Sequence, residues 1–223
     1  MGIQDQYLLK YLQENFNVLE QEITIDFLDT ITQINITQNI NYTELLKIRN
    51  LEEIIVTGIN IDISFYQVLS KLKRLEKLTF IDCNLNNLKY FDNNIKYLCF
   101  NNCQIDNIIE ISKFNNLESL YLDETPDINL DYFPNLKNII NLSFMNTKVL
   151  NSNNLIYLDK IENLCLTNSN IDKIDTLIEN ETLKTLVIDQ EIYKNNKEVI
   201  KHLINRGVKV VDYLNRNVVE EYE

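Results

Sequence analysis

Few residues in this chain are of the types that carry out bond-making chemistry, and their spacing argues against it. His202 is the single histidine, and no Cys or Ser motif stands beside it to make a nucleophile–base pair. No Gly-rich phosphate loop, Cys-x-x-Cys pair or His-Glu-x-x-His run occurs. Cys99 and Cys103 are four apart. Strand alternation sends the first to one sheet face and leaves the second in a turn, so they do not form a metal pair. Cys83 and Cys103 share a repeat column and are close enough for a disulfide, but with no export signal both are expected to be reduced, buried and structural. Carboxylates are abundant, and a solvated surface accounts for them. We therefore expect no catalytic residue, no metal and no cofactor. The Asn-x-Ser/Thr triplets at Asn35, Asn41, Asn141 and Asn180 are what an Asn-rich chain produces by chance.

The elements that would position any site follow from a repeat. Leu75–Leu85 reads L-x-x-L-x-L-x-x-C-x-L, with Phe80 in the third apolar slot. The same template begins again at Ile31, Leu51, Ile95, Leu117, Ile139, Ile161 and Leu183. A period near 22 residues with this internal pattern is the signature of a leucine-rich-repeat solenoid. In each repeat the first apolar residue and the L-x-L pair point inward from a short parallel strand, and stacking the strands buries them in one continuous core. The ninth position carries small donors suited to the inside of a turn: Asn39, Cys83, Cys103, Thr125, Thr147 and Ser169. Ile59 and Glu191 depart from that column, so repeats two and eight are expected to turn differently. Return segments such as Ile105/Ile108/Ile111 are short enough for 3₁₀ turns. The longer repeat around Ser64–Leu72 has room for a true helix capped at Ser64.

Residues 5–22 place Tyr7, Leu8, Tyr11, Leu12, Phe16 and Leu19 at helical spacing. A solenoid exposes its first core layer unless something covers it, so 1–22 reads as an N-terminal helical cap. The following run from Glu22 to Ile36 (E-I-T-I-D-F-L-D-T-I-T-Q-I-N-I) resembles the entry to bacterial leucine-rich repeats of the internalin type. That resemblance implies an α/β solenoid with parallel strands on the concave face, short helical or 3₁₀ turns on the convex face, and a protein-interaction role. Eight repeats fill 23–195. A helix carrying Val199, Ile200 and Leu203, then Gly207 and a strand at Val208–Val211, make a C-terminal cap within 196–223, with 215–223 a solvated tail. The whole forms one structural domain.

The side chains alternating with the buried ones form the concave floor, which is mostly small and polar. Its exception is a cluster of Tyr97, Tyr121, Asp123, Glu124 and Met145, with Ile81 and Asp82 beside it. Aromatic anchors flanked by carboxylates are what a protein-binding hot spot offers. The formal charge of −12 opposes a nucleic-acid backbone or an anionic membrane as partner. No apolar run spans a bilayer and no signal peptide is evident, so a cytoplasmic monomer is expected, with a secreted effector left open. The leading function is a non-enzymatic protein-binding scaffold. The rivals are an acidic inhibitor or immunity-type protein that blocks a basic enzyme, and the recognition part of a larger effector enzyme.

Overall fold

The computed structural model describes residues 2–86, 88–91, 94–133, 135–171 and 173–222. Within these, the apolar columns build one parallel sheet of nine strands in chain order. They are β1 (Gln33–Ile36), β2 (Glu53–Thr57), β3 (Lys77–Ile81), β4 (Tyr97–Asn101), β5 (Ser119–Asp123), β6 (Asn141–Ser143), β7 (Asn163–Cys165), β8 (Thr185–Val187) and β9 (Lys209–Val211). The register is that of the repeat template. Ile54, Leu78, Leu98, Leu120 and Leu142 pair across successive strands, and each is 2% exposed or less. The next inward column continues the core, with the Phe80 and Phe100 rings stacked at 5.6 Å.

Strands β2 to β7 each end in a corner that the hydrophobic template does not reveal. Gly58, Asp82, Asn102, Glu124, Asn146 and Asn168 all sit at positive φ, between 50° and 70°. Gly, Asn and Asp adopt that conformation most readily, which accounts for the composition of the column. Behind the corner, the ninth-position Cys and Thr side chains bond backbone inside the turn. Cys83 Sγ donates to Ile81 O at 3.2 Å, and Cys103 Sγ to Asn101 O at 3.3 Å. Both are free thiols. Repeat two keeps the regular corner despite Ile59, because Gly58 supplies the positive φ. Repeat eight departs as expected: Glu191 lies in a helix, Gln190–Asn195, rather than in a turn.

The return segments are 3₁₀ turns, at Tyr42–Lys47, Ile108–Lys113 and Ser152–Tyr157 among others. The longer second repeat makes helix α3 (Ile63–Leu69), and its cap is Asp62, not Ser64. The Asp62 carboxylate accepts from the Ser64 and Phe65 amides; it stands immediately before the helix, where a cap belongs, whereas Ser64 is already its second residue.

At the N-terminal end, α1 (Gln6–Phe16) is capped by Asp5 and buries Leu8, Leu9 and Leu12. Tyr7, Phe16 and Leu19 from the expected apolar face are instead exposed. Asn17 at positive φ ends the helix, and α2 (Ile25–Leu28) reverses the chain toward β1. At the other end α4 (Gln190–Asn195) and α5 (Lys197–Asn205) precede β9, and Gly207 takes the left-handed conformation after α5. The segment from 215 is not a solvated tail. Val211 bridges Asn217, α6 (Val218–Tyr222) buries Val218 completely, and Tyr222 packs on Tyr193 at 5.8 Å. Asp212 anchors the reversal by accepting from the Leu214 and Arg216 amides. Residue 223 lies outside the described residues.

Candidate functional site

Tyr97 and Tyr121 project from β4 and β5 in adjacent columns, and parallel strands about 4.8 Å apart bring their rings together. The centroids are 5.2 Å apart and the planes are inclined by 37°. Both rings are half-buried. Burial pushes both hydroxyl pKa values up from the usual tyrosine range, and it lifts the neighbouring Cys99 thiol to about 11. The centre of the floor is therefore uncharged at neutral pH. Met145 and Ile81 flank it, each half-buried.

Asp123 does not face outward as a free carboxylate. It is 8% exposed, and its Oδ1 accepts from Ser143 Oγ at 2.6 Å and from the Met145 amide at 2.9 Å. The reason is local. β6 stops at Ser143, and the Asp123 side chain takes over the amide that a longer ladder would have paired. Burial raises the carboxyl pKa, opposed by the hydrogen bonds from Ser143 and Met145. Asp123 thus ties β5 to β6 and positions Met145 beside the rings.

Asp82 and Glu124 are exposed, at the corner where each chain leaves the sheet, so they form a rim rather than part of the floor. They are linked along the solenoid by amides that donate to the preceding repeat. Asn102 Nδ2 donates to Asp82 at 2.6 Å, Asn146 Nδ2 to Glu124 at 3.3 Å, and Asn168 Nδ2 to Asn146 at 3.0 Å. A second ladder crosses the floor. Asn163 Nδ2 donates to Asn141 Oδ1 at 2.8 Å, and Asn141 Nδ2 to Ser119 Oγ at 2.9 Å. Ser119 shares the concave column of Lys77 and Tyr97 but is only 9% exposed. A positive-φ column of Gly, Asn and Asp was the available signal for the rim ladder; the floor ladder left no signal beyond its Asn content.

Asp189, another carboxylate of the concave columns, caps α4 and also accepts from the Asn168 amide at 2.6 Å. His202 is exposed on α5. Among the described residues no group of three or more His, Cys, Asp or Glu side chains converges as a metal site requires. No described helix is long and apolar enough to cross a membrane.

No family model matches the chain, and no curated protein matches it in sequence. Solved structures do match in fold. A leucine-rich-repeat protein of Leptospira interrogans aligns with a TM-score of 0.59 at 16% identity, covering 84% of this chain and 56% of that one. Internalin C2 of Listeria monocytogenes aligns with a TM-score of 0.61 at 15% identity, covering 83% of this chain and 93% of that one. An internalin F of the same species gives 0.55 at 15% identity, covering 93% and 88%. This chain spans just over half the length of the Leptospira chain. The likeness shows the internalin-type leucine-rich-repeat fold.

Proposed function

We propose that this leucine-rich-repeat solenoid is a non-enzymatic scaffold that holds another protein on its concave sheet face. Tyr97, Tyr121, Met145 and Ile81 would make the central contact, with Glu124 and Asp82 on the rim and Asp123 as a positioning residue behind them. The observation that carries this reading is the tyrosine pair: two half-buried rings 5.2 Å apart on a floor lined mostly by small polar side chains. Curved repeat stacks present such floors as extended binding surfaces, and paired aromatics at their centre supply contact area at low entropic cost.

We also read 1–22 as an N-terminal cap, 23–195 as eight repeats, and 196–223 as a C-terminal cap without a free tail, all of one domain. The burial of Leu8, Leu9 and Leu12 at one end and of Val218 at the other supports this. The reading as an acidic inhibitor loses its motive, because Asp123 and Asp189 spend their carboxylates on backbone amides. No observation favours a larger effector enzyme.

The test is capture from native lysate by the intact protein and by a Tyr97→Ala/Tyr121→Ala variant, followed by titration of the captured partner. Each single tyrosine truncation should weaken binding by about 2 kcal/mol or more. Equal affinity of wild type and double variant for a purified partner would move the site off this floor.

A further inference from the structure

The chain holds four cysteines, all free thiols, and the concave contact uses none of them. Cys99 and Cys165 lie on the floor side of β4 and β7, about 14 Å apart across three strand spacings, too far to react with each other. Cys83 and Cys103 are placed differently. Ile81 pairs with Asn101 just before them and Asn84 with Gln104 just after, and the Gln104 amide donates to Cys83 O at 3.0 Å. The two residues therefore stand opposite each other across a parallel spacing of about 4.8 Å, inside the roughly 4.4–6.8 Å of Cα separation that a disulfide spans. Their side chains also turn the same way. Cys103 Sγ reaches back to Phe80 O of the preceding repeat at 3.4 Å, as Cys83 Sγ does to Val56 O at 3.5 Å. The same column shows how near such side chains come: Thr125 Oγ1 and Thr147 Oγ1, in successive repeats, are 3.4 Å apart. The hydrogen bond between the two thiols holds Cys83 below the usual cysteine range and Cys103 above it. Both residues are 1% exposed or less.

We propose that Cys83 and Cys103 form a redox pair, which a hydroperoxide closes to a reversible disulfide between repeats three and four. In the first step the Cys83 sulfur attacks the peroxide. An S–O bond forms, the O–O bond breaks, and the thiol proton goes to the leaving oxygen, giving an alcohol or water. The Cys103 sulfur then attacks the Cys83 sulfenic acid. The S–S bond forms, the S–O bond breaks, and the leaving hydroxide takes the Cys103 proton to become water. Two thiols and one hydroperoxide thus yield one disulfide, one alcohol or water, and one further water, with two electrons passing from sulfur to oxygen. Cys83 attacks first because the pair favours its thiolate, which is the nucleophilic form. Closure takes thiol donors away from the carbonyls of Val56, Phe80, Ile81 and Asn101, and S–H is a weak donor, so the loss is small. Burial slows the reaction, since a peroxide must wait for the corner to open. The pair should therefore react more slowly than half-buried Cys165.

The test uses the full chain carrying Cys99→Ser and Cys165→Ser, which leaves Cys83 and Cys103 as its only thiols, beside the wild type. Hydrogen peroxide is added to the folded protein, thiols are counted, and intact mass is recorded without reductant. Both thiols should disappear together, with the loss of two hydrogens, no added oxygen and no dimer, and dithiothreitol should restore them. Adding Cys103→Ser removes the second thiol, and Cys83 should then be trapped by dimedone as the sulfenic acid. Thermal melts confirm that each variant is folded before oxidation. If the serine background fails to fold, the wild type gives the same reading through fragment masses that separate Cys99 from Cys103. Survival of both thiols in peroxide that consumes Cys165 of the wild type, a sulfinate in place of the disulfide, or a disulfide between two chains would overturn the proposal. So would closure that appears only in urea, because the folded column would then hold the sulfurs apart.

Discussion

Glu124 is the residue at which local backbone preference and the repeat disagree, and replacing it should stabilise the protein. Six strand exits share a left-handed corner, and at five of them the occupant is Gly, Asn or Asp. Glu124 holds φ at 54° without a short side chain to relieve the crowding. An ordinary L-residue loses roughly 1–2 kcal/mol in that conformation, and Asn avoids much of the loss. An asparagine would also extend the rim ladder. Asn102 and Asn168 each donate to the preceding repeat, whereas a carboxylate has no proton to give and leaves Asn102 Oδ1 without that donor. One exposed hydrogen bond adds about 0.5 kcal/mol, the low end of the usual range. Glu124→Asn should therefore gain about 1–2 kcal/mol. For a chain of this size that is a melting shift of roughly 2–4 °C, read by calorimetry beside urea titration. Glu124→Gln is the control: it removes the charge but keeps a long side chain at positive φ, and should stay within about 0.5 kcal/mol of wild type. If the glutamine and asparagine variants melt together, charge and not backbone conformation sets the cost at this corner, and the argument fails.

Asp123→Asn probes the buried carboxyl. Burial raises its folded pKa above 3.8, so the folded state favours the protonated form; wild type gains stability as pH falls through the folded pKa and loses it as pH rises. Asparagine keeps an acceptor for Ser143 and Met145 but does not titrate. Its stability advantage in thermal melts should thus shrink from pH 7 toward pH 4, and a gap that widens on acidification contradicts the assignment. Ser169 Oγ is the buried side-chain oxygen left without a hydrogen-bond partner among the described residues. Ser169→Ala should be neutral or up to about 1 kcal/mol stabilising, while Thr147→Ala, which strips an acceptor from the Thr125 amide, should cost about 1–2 kcal/mol. Urea midpoints that rank the two in the opposite order would refute this reading of the turn column.

The parts of the fold that were legible are those that repetition enforces. A stack of parallel strands needs an apolar residue at the same place in every layer, so Leu78, Leu98 and Leu120 announce both strand and register. A repeat of 24 residues announces a helix at 63–69 through its extra length. The unreadable parts depend on partners far away in the chain. Whether Asp123 is free depends on where β6 ends, twenty residues later, and no local pattern marks Ser143 as its last residue. The stretch 215–223 has no helical period to advertise; Val218 is a single apolar contact made against layers already built. The rim column was visible as a list of residue types at the strand exit, but its backbone conformation was not. A positive φ turns the chain out of the sheet, which moves Asp82 and Glu124 to the edge.

That displacement changes what the surface can offer a partner. Across the floor and along the rim, amides and hydroxyls satisfy one another from repeat to repeat, as in Asn163–Asn141–Ser119 and Asn168–Asn146–Glu124. A polar partner group would have to break a bond for each one it makes, and such an exchange yields little net free energy. The surfaces with no bond to surrender are the tyrosine faces, Met145 and Ile81. Affinity on this face should accordingly come from apolar and aromatic contact at the centre. Exposed Asp82 and Glu124 lie outside that contact and should act on the rate of encounter and its salt dependence. On this logic, neutralising both rim carboxylates should lower the association rate and flatten its response to salt while leaving dissociation nearly unchanged.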